Sequence, residues 1–503
     1  MKNIGNQSWL GFCLYILLGA LLLSNHTHFY DDEIFNINIL LNYPTLFEII
    51  KHIKSVDVHP PLSYIFNKLS YDLFGDFKYI IIFPILLSAF SLKYFYSFAA
   101  RPLNTFHSQV FLFLATFVNT GILLWTTSIR WYAYWFPLAT FLLVYILKNR
   151  VIKKHNVVII VTTLALMTYI SYLTFILIIG LFVWHLLSRW NRISIQNILF
   201  GATSYTTMTA YQIFVFLTVH LARKGGQTSG ILNSALNGAY GIVNGGSLFV
   251  VEPLLIISSI LSFGIIIWGT YTFNVNKTIK NRDIFFACFL ILLITFLLLV
   301  LTGIGGKYRN NIFLSLPLYF VVALCFDKFK LLKFNLSYLL IIMLSCSQGY
   351  YHLLQRINTS KRSYNLPVNE LIQYIEDDLD EKVVLTIDPS IHFALKSEGI
   401  NVLEASDYTL GFDKLKIMKN YILNLPYPST IYLIKTYQGS LDSTLYNNYI
   451  NLFSSLGIKT KEKFTFGYDK YYKVKNMLPG NKPKVLPYYI QIERGISNES
   501  LLP

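Results

Sequence analysis

The stretch IFFACFLILLITFLLLVL, residues 284–301, decides the class of this protein. It contains no charged side chain, and its apolar residues occupy every side of a helix rather than one stripe. An α-helix needs about 20 such residues to cross a bilayer core, and a helix apolar all round has no face to offer water. Reading outward, comparable runs recur at about 8–24, 79–98, 107–125, 132–147, 156–172, 173–187, 198–220, 250–272, 312–326 and 335–350. Together they predict a polytopic α-helical membrane protein with about 11 transmembrane helices. Composition agrees: 54% of residues are hydrophobic, 14% are charged and the mean hydropathy is +0.48, whereas globular domains carry about 25% charge. From about residue 351 the charge density is ordinary and no such run occurs. The chain therefore divides into a membrane module, 1–350, and a soluble domain, 351–503, of ordinary domain size.

The net charge of +16 invites a nucleic-acid reading, and its distribution argues against one. Residues 351–503 hold 18 Lys and Arg against 16 Asp and Glu, while residues 1–350 hold 24 against 10. The excess lies in alternate short connections: Arg101; Lys148, Arg150, Lys153 and Lys154; Arg189 and Arg192; Lys277, Lys280 and Arg282; Lys328, Lys330 and Lys333. Basic connections stay cytoplasmic. An odd number of spans then puts the N-terminus inside and the C-terminal domain outside, in a cell (inner or plasma) membrane. The first run follows Lys2 but lacks a small-residue cleavage pattern and is followed by ten more, so it reads as a retained helix. The four cysteines fall in or beside apolar runs without metal-ligand spacing.

Four segments then face outward: the first loop, about 25–78; the turn 126–130; the loop 221–249; and the turn 303–311. The loop 221–249 is rich in Gly, Ser and Asn and reads as a mobile lid or a re-entrant segment. The outer domain reads as α/β, with strands at 383–387, near 401–403 and at 431–434 and a helix at about 441–456. That alternation implies a parallel sheet. It contains no glycine-rich phosphate loop.

Seven of the ten acids of the membrane module lie between residues 31 and 76. Three are consecutive, Asp31, Asp32 and Glu33, just past the first span. Carboxylates beside low-dielectric walls gain raised pKa values and suit general-base work, although an acidic loop can equally be a solvated one. Next comes Asp57-Val-His59-Pro60-Pro61-Leu62, whose prolines fix φ and interrupt any helix before an amphipathic segment, Leu62–Phe74. Cations then occur on the side that should lack them: Arg130 in Ser-Ile-Arg-Trp-Tyr, and Lys307 and Arg309 around Tyr308. A phosphate is their natural partner; snorkelling to lipid head groups is the plain alternative. Arg223 and Lys224, in the Gly-rich loop, are weaker candidates.

The texts YDDEIFN (30–36), DVHPPLSYIFNKLSYDLFG (57–75), SIRWYAYW (128–135) and GGKYRNNIFLSLP (305–317), in this order, resemble the C-type (GT-C) membrane glycosyltransferases. The branch they are most similar to is that of protein O-mannosyltransferases and lipid A aminoarabinose transferases. The resemblance covers the first 350 residues. It implies an inverting transfer of a sugar from a polyprenyl-phosphate donor to a surface glycan, lipid or protein hydroxyl on the outer face of the bilayer, with no nucleic acid involved. It also implies site roles. Asp32 is the general base, the extra acid Asp31 leaves that choice open by one residue, and Glu33 positions the acceptor or helps bind a divalent cation. Arg130, Lys307, Arg309 and Tyr308 hold the donor phosphate, and Asp57, His59 and Tyr132 position acceptor or donor. The turn reads Lys-Tyr-Arg where relatives more often have Arg-Tyr. A surface-polysaccharide polymerase or ligase is the nearest alternative. A lipid-linked-glycan flippase would instead place paired charges near mid-membrane.

Overall fold

The computed structural model describes residues 2–24, 36–37, 39–40, 43–56, 59–188, 190–220, 231–243, 252–275, 281–304, 308–329, 382–386, 402–404, 430–436, 451, 454–455, 459–467 and 489–496. The chain forms two compact units. One comprises Met1–His26 with Ile39–Asn358, the other Thr27–Asn38 with Thr359–Pro503.

The first unit is a helical bundle. Its helices are α1 (Lys2–Ser24), α2 (Leu46–Val56), α3 (Leu62–Phe74), α4 (Ile82–Ala99), α5 (Phe106–Phe117), α6 (Thr120–Thr126) and α7 (Trp131–Lys148). They continue with α8 (Lys154–Ile170), α9 (Leu173–Ser188), α10 (Ile195–Val215), α11 (Ile231–Val243), α12 (Glu252–Val275), α13 (Arg282–Leu301) and α14 (Ile312–Phe329). Among the described residues, five segments are long and apolar enough to cross a membrane: Ile4–Leu23, Tyr79–Ala99, Phe106–Thr126, Ile256–Val275 and Arg282–Leu301. Helices α8 and α9 are shorter apolar helices. Helix occupies ten of the eleven predicted spans, and the eleventh, 335–350, lies outside the described residues. The molecule is a polytopic α-helical membrane protein with a further small domain.

Helix α14 is the axis of the bundle. It packs against α5, α7, α11, α12 and α13, and Leu314, Leu318, Tyr319, Phe320, Val321, Val322, Ala323 and Cys325 are fully buried. Pro317 sits inside it and removes one backbone donor, a loss that membrane helices tolerate where neighbouring helices enclose them.

The predicted span 107–125 is one membrane segment but two helices. Asn119 divides it: its side-chain oxygen accepts from the Ile122 N–H at 3.1 Å and caps α6, and its amide donates to the Tyr319 hydroxyl at 2.8 Å. A side chain that serves a new helix and a neighbouring one outcompetes the continuous backbone ladder. Helix α3 coincides with the predicted amphipathic segment. It starts after Pro61, which needs no N–H there, and ends where Gly75 takes φ +73° and its N–H closes on Tyr71 O at 2.7 Å.

Strands β1 (Val151–Ile152) and β2 (Arg192–Ile193) form a short parallel pair between the turns after α7 and α9. The second unit carries a five-stranded sheet of β3 (Lys382–Thr386), β4 (Val402–Glu404), β5 (Thr430–Thr436), β6 (Lys459–Gly467) and β7 (Tyr489–Ile496), in the order β4-β3-β5-β7-β6. The first three occupy the predicted strands and pair in parallel. Strand β7 runs antiparallel to both β5 and β6, so the sheet is mixed and the wholly parallel expectation is corrected. Both added strands alternate apolar and polar residues, as in KFTF and YIQI, the sequence pattern common in antiparallel strands. Most of the predicted helix at 441–456 lies outside the described residues.

Candidate active site

Helix α7 begins with a fully enclosed turn. Thr126, Thr127 and Ser128 return their hydroxyls to the carbonyls of Ile122, Leu123 and Trp125, each at 2.7 Å. The Tyr15 hydroxyl of α1 also bonds Thr126. These three hydroxyls satisfy themselves locally within the turn. Arg130 then occupies the N-cap position in extended backbone, φ −140° and ψ 164°, with only 8% of its surface exposed. A guanidinium joined to the positive end of a helix gives this spot a strong attraction for an anion.

Aromatic rings enclose the turn. The His59 and Trp131 rings meet at a tilt of 30° with centroids 4.9 Å apart. Tyr132, itself buried, lies between Trp125 at 4.8 Å and Trp131 at 5.3 Å. One turn on, the Tyr134 hydroxyl donates to Asn67 of α3 at 2.7 Å, and Phe66 meets the Tyr134 ring at 5.3 Å. Trp135 donates to the Thr174 hydroxyl at 2.8 Å and meets Phe313 of α14 edge-on at 5.0 Å. Three of the four quoted sequence texts, 57–75, 128–135 and 305–317, thus meet around one helix start. They are separated by up to about 250 residues of chain, so sequence spacing does not reveal the contact.

The remaining predicted site residues are placed less fully. Asp31, Asp32, Glu33, Asp57 and Lys307 lie outside the described residues. Tyr308 and Arg309 belong by backbone to a 3-10 turn, Tyr308–Asn311, and their side chains also lie outside. That turn packs on α14 and on α11. Among the described residues no His, Cys, Asp and Glu group could hold a metal ion, and Glu33, which carries the metal suggestion, is not among them.

Sequence reasoning missed α11, reading 221–249 as lid or re-entrant loop. The structure has a helix there, packed on α12, α13 and α14. Its signal was the apolar spacing Leu232, Leu236, Ile242 and Val243, masked by four Gly and Asn residues of low helix propensity. Tyr319 ties it to the axis by donating to Val243 O at 2.8 Å. Elsewhere in the first unit, Tyr43 stacks on His52 of α2 at 4.3 Å and its hydroxyl meets Nδ1 at 2.8 Å. Burial holds the His52 imidazole below the usual histidine range and pushes the Tyr43 phenol up.

No protein-family model matches the sequence, and no curated protein is similar to it. Solved structures do share the fold. The crystal structure of ArnT from Cupriavidus metallidurans in the apo state matches with a TM-score of 0.57 at 10% identity, covering 98% of this chain and 99% of that one. The structure of that ArnT bound to undecaprenyl phosphate matches with a TM-score of 0.55 at 10% identity, covering 98% of each chain. At such identity the likeness is one of fold, and it spans nearly the whole length of both proteins.

Proposed function

We propose that this chain is an inverting glycosyltransferase that moves a sugar from a polyprenyl-phosphate donor to an acceptor hydroxyl on the outer face of the membrane. The observation that carries the reading is the shared fold with ArnT bound to undecaprenyl phosphate, over 98% of each chain. That ArnT holds undecaprenyl phosphate, a polyprenyl phosphate, and the four sequence texts independently resemble the GT-C membrane glycosyltransferases. The finer assignment is to the aminoarabinose and O-mannosyl transferase branch, acting on a cell-envelope glycan, lipid or protein.

The transfer is one displacement. Asp32, or its neighbour Asp31, takes the acceptor proton as the hydroxyl oxygen attacks the anomeric carbon. The bond from that carbon to the phosphate oxygen breaks, and the polyprenyl phosphate leaves with the electron pair. Arg130, Lys307, Arg309 and Tyr308 stabilise the phosphate as its charge grows. The burial of Arg130 supports its part, because a desolvated guanidinium attracts phosphate more strongly than an exposed one. Asp57, His59 and Tyr132 position the reactants, and Glu33 orients the acceptor or holds a divalent cation. In this reading eleven spans put the N-terminus in the cytoplasm, and residues 351–503 form an α/β domain outside.

Reconstituted protein supplied with a polyprenyl-phosphate sugar should glycosylate an acceptor, and Asp32→Asn should abolish transfer while leaving expression and melting unchanged. Full activity of both Asp32→Asn and Asp31→Asn would sink the mechanism. Movement of the lipid-linked sugar across liposomes with no covalent product would identify a flippase instead.

A further inference from the structure

The end of the bundle where α7 and α9 finish and α8 and α10 begin carries a second polar feature, unconnected with the α7 N-terminus. Two short turns are fastened to each other there. Strands β1 and β2 pair Val151 with Arg192 and Ile152 with Ile193, and the Arg192 N–H donates to Arg150 O at 2.7 Å. Trp190 donates to Leu147 O at 3.1 Å and Asn197 to Ile152 O at 3.1 Å. Ile152 and Ile193 pack on Val157 and Val161 of α8. Loops that merely needed positive charge for topology would not require this clasp.

The clasp holds cations at fixed positions. The Arg150 guanidinium stacks 3.1 Å from the centroid of the Trp190 ring, and Lys154 lies 5.0 Å from that of Phe200. The Lys153 backbone N–H donates to the Asn156 side chain at 2.9 Å, which sets where its side chain leaves the start of α8. Arg150, Lys153, Lys154 and Arg192 are all exposed. Among the described residues the ion pair is Lys68 with Asp72, so none of these four has a described carboxylate within pairing distance. The acid whose field reaches Arg150 is Asp283.

Exposed apolar surface adjoins the cations. Val151, Ile195 and Leu199 are 54%, 75% and 61% exposed, and Leu199 lies one helical turn into α10 from Ile195, about 5.4–6 Å along the axis. Positive charge above an apolar helix face matches a molecule with an anionic head and hydrocarbon chains.

We infer that the β1–β2 clasp is a docking site for an anionic phospholipid of the adjacent leaflet, the phosphate meeting Arg150, Lys153, Lys154 and Arg192 and the acyl chains lying along Ile195 and Leu199. The inference rests on the membrane fold and is independent of the transferase reading.

Native mass spectrometry of the full-length protein, titrated with phosphatidylglycerol or phosphatidylcholine, tests it. The wild type should retain phosphatidylglycerol preferentially. A membrane-adjacent cation contributes about fivefold in affinity, so the triple variant Lys153→Gln/Lys154→Gln/Arg192→Gln should lose about a hundredfold. Lys51→Gln, an exposed cation on α2, should lose nothing. If the triple variant does not assemble, each single substitution should lose about fivefold. Unchanged phosphatidylglycerol binding in these variants would overturn the inference. So would complete displacement of the lipid by millimolar inorganic phosphate, because the acyl chains would then contribute nothing.

Discussion

Arg130 shows what one residue's surroundings decide. Its charge was visible in the sequence, and its position on the side poor in cations made it conspicuous. Its burial was not visible, because burial is set by tertiary packing and not by neighbours in sequence. Arg130→Lys keeps the charge but loses the guanidinium fork, so kcat for sugar transfer should fall while some activity survives. Arg130→Ala should cost about 10²–10³ in kcat; an equal KM rise with unchanged kcat would mean that Arg130 binds the donor without acting on the leaving phosphate. His52 offers a second test at this scale. Its folded pKa is depressed, so above the unfolded value of about 6.5 both states are neutral and its packing counts in full. As pH falls below that value the unfolded chain binds the proton first, and stability is lost down through the folded pKa. The melting temperature of the wild type should therefore drop more between pH 7 and 5 than that of His52→Gln. Parallel pH curves would remove His52 from the account.

At the scale of elements, the ends of helices do as much as their faces. Asp327, near the end of α14, accepts from Asn104 N at 2.7 Å, Asn104 Nδ2 at 2.8 Å and Thr105 N at 2.6 Å, and so satisfies the start of α5 from across the bundle. Thr105 completes the cap by accepting from Ser108 N. Removing the carboxylate leaves backbone donors unpaired near the membrane, so Asp327→Ala should destabilise the protein by about 3 kcal/mol, and Asp327→Asn, which keeps one acceptor, by less. Equal melting of Asp327→Ala and wild type in detergent would contradict that account. Close approach of helices is the other determinant. A Cβ added at Gly19 of α1 would lie 2.7 Å from the Ile85 side chain of α4, and overpacking of this kind costs about 1–3 kcal/mol. Gly19→Val should lower the melting temperature, with Gly5→Val, where nothing lies within 4 Å, as the neutral comparison. The predicted boundaries held where a local rule set them, as with Pro61 and Gly75 around α3. The span predicted at 107–125 also kept its ends, and the break inside it at Asn119 went unpredicted because the capping side chain also serves a helix 200 residues away.

For the whole molecule, the fold and the site were legible to different degrees. The sequence by itself determined that the chain is a membrane protein with a separate C-terminal domain, because the need to bury apolar surface is written locally, run by run. It also determined where ten helical segments and three strands lie, and which residue types could handle a phosphate. Tertiary structure decided what meets what. It made α14 the enclosed axis among several equally apolar helices, since burial inside a bundle and burial in lipid demand the same composition. It turned the Gly-rich loop 221–249 into a segment with a packed helix, and it set one strand of the sheet, β7, against the direction of the others. It also joined His59, Trp131, Tyr134, Asn67, Trp135 and Phe313 around the start of α7. Those contacts arise from side chains closing over distances in sequence that no periodicity records. The run at 284–301 could announce the bilayer, but only packing could select α7 as the helix whose start carries a buried cation.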